Sequence, residues 1–181
     1  MRLFAISDLH LSTVRPKPMD VFGPEWQDHA ARIEASWRET VRDEDLVLMA
    51  GDLSWALRLE EALPDLRRVA DLPGQKILVK GNHDYWWSTI SKVRGAVGGR
   101  MHFIQNDVVC LGRVAVGGTR LWDFPEIAWT ARPEDRSEEP PPACVGKGKP
   151  QDADPEAIRR RELERLRLSL GRLPDAAETR V

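Results

Sequence analysis

Short apolar runs alternate with longer amphipathic stretches from the first residues onward. Arg2 to Ile6 has the length of a buried strand and stops at Ser7-Asp8-Leu9-His10. After a loop carrying Pro16, Pro18 and Gly23, the residues Trp26, Ala30, Ile33 and Trp37 recur at helical steps, which predicts a helix from about Glu25 to Val41. Leu46 to Ala50 is a second strand, stopped by Gly51-Asp52. Leu57 to Leu72 repeats the helical spacing through Leu59, Leu63, Leu66, Val69 and Ala70, with Pro64 expected to kink or split it. Ile77-Leu78-Val79 is a third strand, broken by Gly81-Asn82-His83-Asp84 before a helix from about Ser88 to Val97.

Strand, polar loop and helix in repetition predict an α/β sheet whose loops gather outside the carboxyl ends of the strands. Three further β-like pieces follow near His102 to Ile104, Val108 to Leu111 and Val114 to Val116. Asn106-Asp107 and Gly112-Arg113 separate them as tight turns, so an antiparallel meander is expected. Residues 131–155 hold six of the 13 prolines, which suits a long exposed loop or flap. Glu156 to Leu170 is a charged helix with Ile158, Leu163, Leu166 and Leu170 on one stripe. The 181 residues match the size of one domain, taken here as 1–181.

The charge balance narrows the partners. Lys and Arg total 27 against 29 acidic residues, so no global positive field grips nucleic acid, and a nuclease is disfavoured. No segment approaches the roughly 18 apolar residues of a membrane span, and the opening run is too short for a signal-peptide core. Cys110 and Cys144 stand far apart with no C-x-x-C pair, which indicates neither a disulfide framework nor a thiolate zinc site. A reducing cytoplasm is the expected location.

The candidate chemistry lies in three strings, Asp8-Leu9-His10, Gly51-Asp52-Leu53 and Gly81-Asn82-His83-Asp84, each placed after a strand. Asp8, His10, Asp52, Asn82 and His83 can therefore converge on one small volume. Carboxylate, imidazole and amide oxygen together suit Mn²⁺, Fe²⁺ or Zn²⁺. Asp52, on the central loop, is the natural carboxylate to bridge two ions. Taken singly, Asp8 and Asp52 read as helix N-caps; the ordered set favours a metal site.

D-x-H, then G-D about forty residues on, then G-N-H-D about thirty further, resembles the calcineurin-like metallophosphoesterase superfamily over about the first 120 residues. The longer strings Gly51 to Trp55 and Gly81 to Trp87 are similar to a bacterial branch of phosphohydrolases. The resemblance implies a four-layer α/β/β/α sandwich with a two-metal site at the sheet edge. It also implies that Asp8 and His10 bind the first ion, that Asp52 bridges and that Asn82 binds the second. His83 would protonate the leaving group or hold the phosphate, oriented by Asp84. The substrate class would be a phosphomonoester or phosphodiester.

The family pattern continues with a lone His and a G-H-x-H string, and neither occurs in this sequence. His29 and His102 stand in other contexts, His29 as a solvated helix residue. Arg180-Val181 resembles the start of the strand leading to the lone His, so the expectation is a fold incomplete at its C-terminus. Site one keeps Asp8, His10 and Asp52; site two keeps Asp52 and Asn82, and one ion in place of two follows. An edge left unpaired would favour self-association. The leading expectation is a metal-dependent phosphohydrolase in incomplete form; the alternative is a noncatalytic or single-metal binding module on the same fold. Arg120, leaving a strand after Gly118-Thr119, is a candidate fork donor to phosphate, although surface Arg is commoner. Trp55, Trp86 and Trp87 favour packing over a substrate wall. Arg159-Arg160-Arg161 is interleaved with glutamates and reads as a solvated ion-paired face.

Overall fold

The computed structural model describes residues 1–98, 101–121 and 155–181. Four short strands, β1 (Leu3–Ile6), β2 (Leu46–Met49), β3 (Gln75–Val79) and β4 (Met101–Ile104), pair in parallel in the order β1-β2-β3-β4. Their crossovers carry α1 (His29–Thr40), α2 (Leu59–Ala70) and α3 (Ile90–Ala96). Alternation along each strand divides the core in two. Val47, Met49, Leu78, Met101 and Phe103 pack with Trp37, Leu66, Val69 and Val93 of the helices. Leu46, Ile77 and Ile104 face the other way, onto Val114 and Val116.

Those two valines belong to a second sheet. β5 (Asp107–Leu111) and β6 (Val114–Gly118) form an antiparallel hairpin, and β7 (Thr179–Arg180) adds in parallel to β6. α4 (Pro155–Leu170) lies against β5 and β6. The layers therefore run helices, sheet, sheet, helix, the α/β/β/α sandwich that the resemblance implies. Of the loop expected over 131–155, all but Pro155 lies outside the described residues, and Pro155 begins α4.

Four expectations change in detail. The piece near His102 joins the first sheet in parallel and not the meander, because a helical crossover precedes it and Met101 and Phe103 complete the helix-side core. Asn106, at φ 67°, then turns the chain into the second sheet. The helix foreseen from Glu25 starts at His29, after 3-10 turns at Asp20–Phe22 and Pro24–Trp26. α2 stays continuous through Pro64: Pro64 and Glu60 are both exposed, so water can serve the carbonyl that loses its donor. α4 buries Glu162 and Ser169 while Leu170 is exposed. Its attachment is polar: Ser169 Oγ accepts from Gly118 N–H at 2.8 Å and donates to the Asp107 carbonyl at 2.7 Å.

Two buried charges tie the first sheet down. Asp45 accepts the Arg2 backbone N–H at 2.7 Å, the Arg2 guanidinium at 2.7 and 3.2 Å, and the Arg42 N–H at 3.0 Å. Lys76 is buried with its Nζ donating to the carbonyl of Ala70, the last residue of α2, at 3.0 Å, and to those of Gly74 at 2.9 Å and Leu72 in the turn that follows.

Candidate metal centre

The loops after β1 and β2 continue side by side beyond the sheet. Asp8 N–H donates to Gly51 O at 3.1 Å, His10 N–H to Asp52 O at 2.9 Å, and Leu11 N–H to Leu53 O at 2.9 Å. This pairing holds Asp8, His10 and Asp52 at φ 57°, 46° and 54°, left-handed conformations in which non-glycine residues are strained. Strain at three chemically chosen residues marks a site that the surrounding pairing over-determines. One ligand atom from each of the three lies within 4.8 Å of the others, the only such His, Cys, Asp and Glu cluster among the described residues.

The third loop meets the second through glycine. A Cβ on Gly51 would fall 2.3 Å from Gly81 N, and one on Gly81 would fall 2.1 Å from Asp52 Oδ1, so neither position admits a side chain. The same approach lets His83 N–H donate to Asp52 Oδ1 at 2.8 Å. The His83 ring lies 5.8 Å from that of His10. Asn82, one residue earlier, is exposed at the rim.

Asp84 does not reach the His83 ring, contrary to the orienting role expected of it. Its buried carboxylate accepts Gly81 and Asp52 N–H at 2.9 Å on Oδ2. On Oδ1 it accepts Leu53 N–H at 2.9 Å, Ser54 N–H at 3.5 Å and the Trp86 indole at 3.0 Å. It clamps the second loop to the third. The His83 ring instead has the Tyr85 hydroxyl 3.4 Å from Nδ1. Arg120 pairs with buried Glu162 at 3.4 Å. Trp86 and Trp87 are core, whereas Trp55 stacks on His10 at 4.5 Å.

Sequence reasoning missed several supports. His29, read as solvated, is half-buried, and its Nε2 lies 3.1 Å from the Leu9 carbonyl inside the first motif. Asp65 of α2 is buried and accepts the Ser54 hydroxyl at 2.5 Å and Thr13 N–H at 3.2 Å, tying the first two loops to one helix. An acidic residue on the apolar face of α2 was the available signal. His102 lies 3.2 Å from the Gln75 side chain, away from the cluster.

The donor set fits a divalent cation. Burial lowers the His10 pKa, with Asp8 opposing and His83 adding to the drop, so the neutral, ligating imidazole is favoured. Its Nδ1 is buried without a hydrogen-bond partner among the described residues. Burial raises the Asp52 pKa; the His83 N–H and the His83 charge lower it, and the Asp8 charge raises it again. A cation between two carboxylates would relieve both burial and mutual repulsion.

No curated protein matches the chain. The crystal structure of AQ665, a protein of unknown function from Aquifex aeolicus, matches with 21% identity over 63% of this chain and 58% of that one, at a TM-score of 0.35. The chain thus spans little more than half of AQ665. The calcineurin-like phosphoesterase family model matches residues 1–160, which takes in all three motif loops and both sheets up to α4. The chain belongs to the calcineurin-like phosphoesterase family.

Proposed function

We propose that this chain is a divalent-metal-dependent phosphohydrolase acting on a phosphomonoester or phosphodiester. The convergence of Asp8, His10 and Asp52 within 4.8 Å, at the carboxyl ends of adjacent parallel strands, carries that reading. Asp8, His10 and Asp52 would hold one ion, and Asn82, exposed on the third loop, would be the further ligand if a second bound beside Asp52. A divalent cation so held supplies Lewis acidity toward a phosphoryl oxygen and toward water.

The chain's own groups do the rest. His83 is fixed by its N–H to Asp52 and by the Tyr85 hydroxyl at Nδ1, which leaves Nε2 to give a proton to the departing oxygen. Asp84 keeps the loop under His83 in register with the loop under Asp52. Trp55 covers one face of His10 and excludes water from it.

The test measures Mn²⁺ binding by calorimetry and hydrolysis of a phosphomonoester and phosphodiester panel, for the wild type and His10→Ala. One tightly bound Mn²⁺ per wild-type chain, metal-dependent turnover, and loss of both in the variant are expected. Absence of Mn²⁺ binding, or hydrolysis indifferent to chelation, would overturn the proposal. Mn²⁺ binding without turnover across the panel would select the single-metal binding module, which the three-ligand cluster also supports.

A further inference from the structure

Next to the metal centre runs a loop, Ser12-Thr13-Val14-Arg15-Pro16-Lys17-Pro18, that the mechanism above does not use. It is closed on itself once and tied twice to α2. The Ser12 hydroxyl accepts Lys17 N–H at 3.2 Å, Thr13 N–H donates to Asp65 at 3.2 Å, and Arg15 pairs with Glu61 of α2 at 2.9 Å. Prolines on both sides of Lys17 fix their own φ and restrict the residue before each.

The loop delivers a cation to a defined place. Lys17 Nζ stands 3.1 Å from the centroid of the Trp55 ring, a cation–π contact. The His10 imidazole stacks on the same ring at 4.5 Å with 16° between planes. At those distances the two groups cannot share a face, so the indole lies between ammonium and imidazole. The same indole is 4.8 Å from the His83 ring. A positive charge this near a cation site opposes metal binding on Coulombic grounds. It favours an anion brought to the metal, and an ammonium on a flexible four-carbon stem can move from an indole face to a phosphoryl oxygen.

We infer that Lys17 is a substrate-binding residue, held on Trp55 in the free protein and pairing with an anionic oxygen of the phosphoryl group when substrate is bound. This assignment rests on the metal-dependent reading above and names the group that recognises the anion. It assigns the Pro-Lys-Pro segment a purpose that neither the sheet core nor the ligand cluster requires.

The experiment is calorimetric titration of inorganic phosphate into the Mn²⁺-loaded full chain, for wild type, Lys17→Gln and Lys17→Arg. Mn²⁺ affinity is measured in parallel without phosphate. Lys17→Gln should weaken phosphate binding about tenfold while Mn²⁺ affinity stays level or rises, and Lys17→Arg should keep phosphate affinity within about threefold. Unchanged phosphate affinity in Lys17→Gln, a joint loss of Mn²⁺ and phosphate in that variant, or no phosphate binding by the loaded wild type would each overturn the assignment. A wild type that holds no Mn²⁺ would remove the metal reading itself, and Lys17's role with it.

Discussion

His83 and Asp84 are neighbours in one motif with different work to do. His83 stands half-buried over the cluster with its Nδ1 near the Tyr85 hydroxyl, while Asp84 is fully buried under five N–H groups. His83→Ala should therefore lower turnover by roughly 10²-fold with Mn²⁺ affinity close to wild type, read by steady-state kinetics beside metal titration. Asp84→Asn should do something else. An amide offers one acceptor oxygen where the carboxylate offers two, and turns an NH₂ toward N–H groups that need an acceptor. Burial raises the Asp84 pKa, but a carboxyl proton would meet the same row of donors, so the ionised form suits the site. The variant should lose about 2–4 kcal/mol of stability, measured by urea unfolding, because a buried network is left partly unsatisfied.

Between elements, the second and third loops meet backbone on backbone at Gly51 and Gly81. Gly51 sits at φ 104° with no space for a Cβ against Gly81. Gly51→Ala thus meets strain and overlap together and should cost about 3 kcal/mol or more, seen as a large fall in the unfolding midpoint. Gly81→Ala aims its methyl at Asp52 Oδ1. Displacement of that oxygen should show first as weakened Mn²⁺ binding, with unfolding the secondary effect. α2 offers the opposite test. Pro64 is exposed within a continuous helix, so Pro64→Ala restores an amide donor and should stabilise the chain by about 1 kcal/mol after the added freedom of the unfolded chain is counted. A melting temperature unchanged or lowered would contradict that.

At the scale of the whole molecule, β1 is the edge of the first sheet among the described residues, and its start is pinned to the start of β2 by a charge. The Arg2 side chain, the Arg2 N–H and the Arg42 N–H hold the Asp45 carboxyl well below the usual carboxylate range. A carboxyl depressed on folding adds stability that is present above its unfolded pKa of about 3.9 and is lost as pH falls below it. Buried Asp84, shifted upward, works with the opposite sign, so total stability against pH mixes the two. Asp45→Asn isolates the first. The gap in melting temperature between wild type and Asp45→Asn should be widest at neutral pH and shrink between about pH 5 and pH 3. A gap constant across that range would mean that the Arg2 contact does not set the Asp45 charge.

Three of the four parallel strands, the helices between them and the polar strings at the strand ends were legible in the sequence; the fourth, at Met101–Ile104, was read into the meander. An apolar run of four or five residues has to be buried, and the acid, glycine or imidazole that stops it has to emerge at the edge of whatever buries it. Asp8, His10, Asp52 and His83 came together for that reason. What the linear pattern did not carry was the choice of partners. His29 at the Leu9 carbonyl, Asp65 under two loops, Tyr85 at His83 and Lys17 on Trp55 each join residues remote in sequence or reversed by a turn. Only the packed arrangement decides which buried polar atom meets which. The left-handed backbone of Asp8, His10 and Asp52 belongs to the same class: Asp and His enter that region more readily than most residues, but the pairing of two loops beyond the sheet edge is what selects it here.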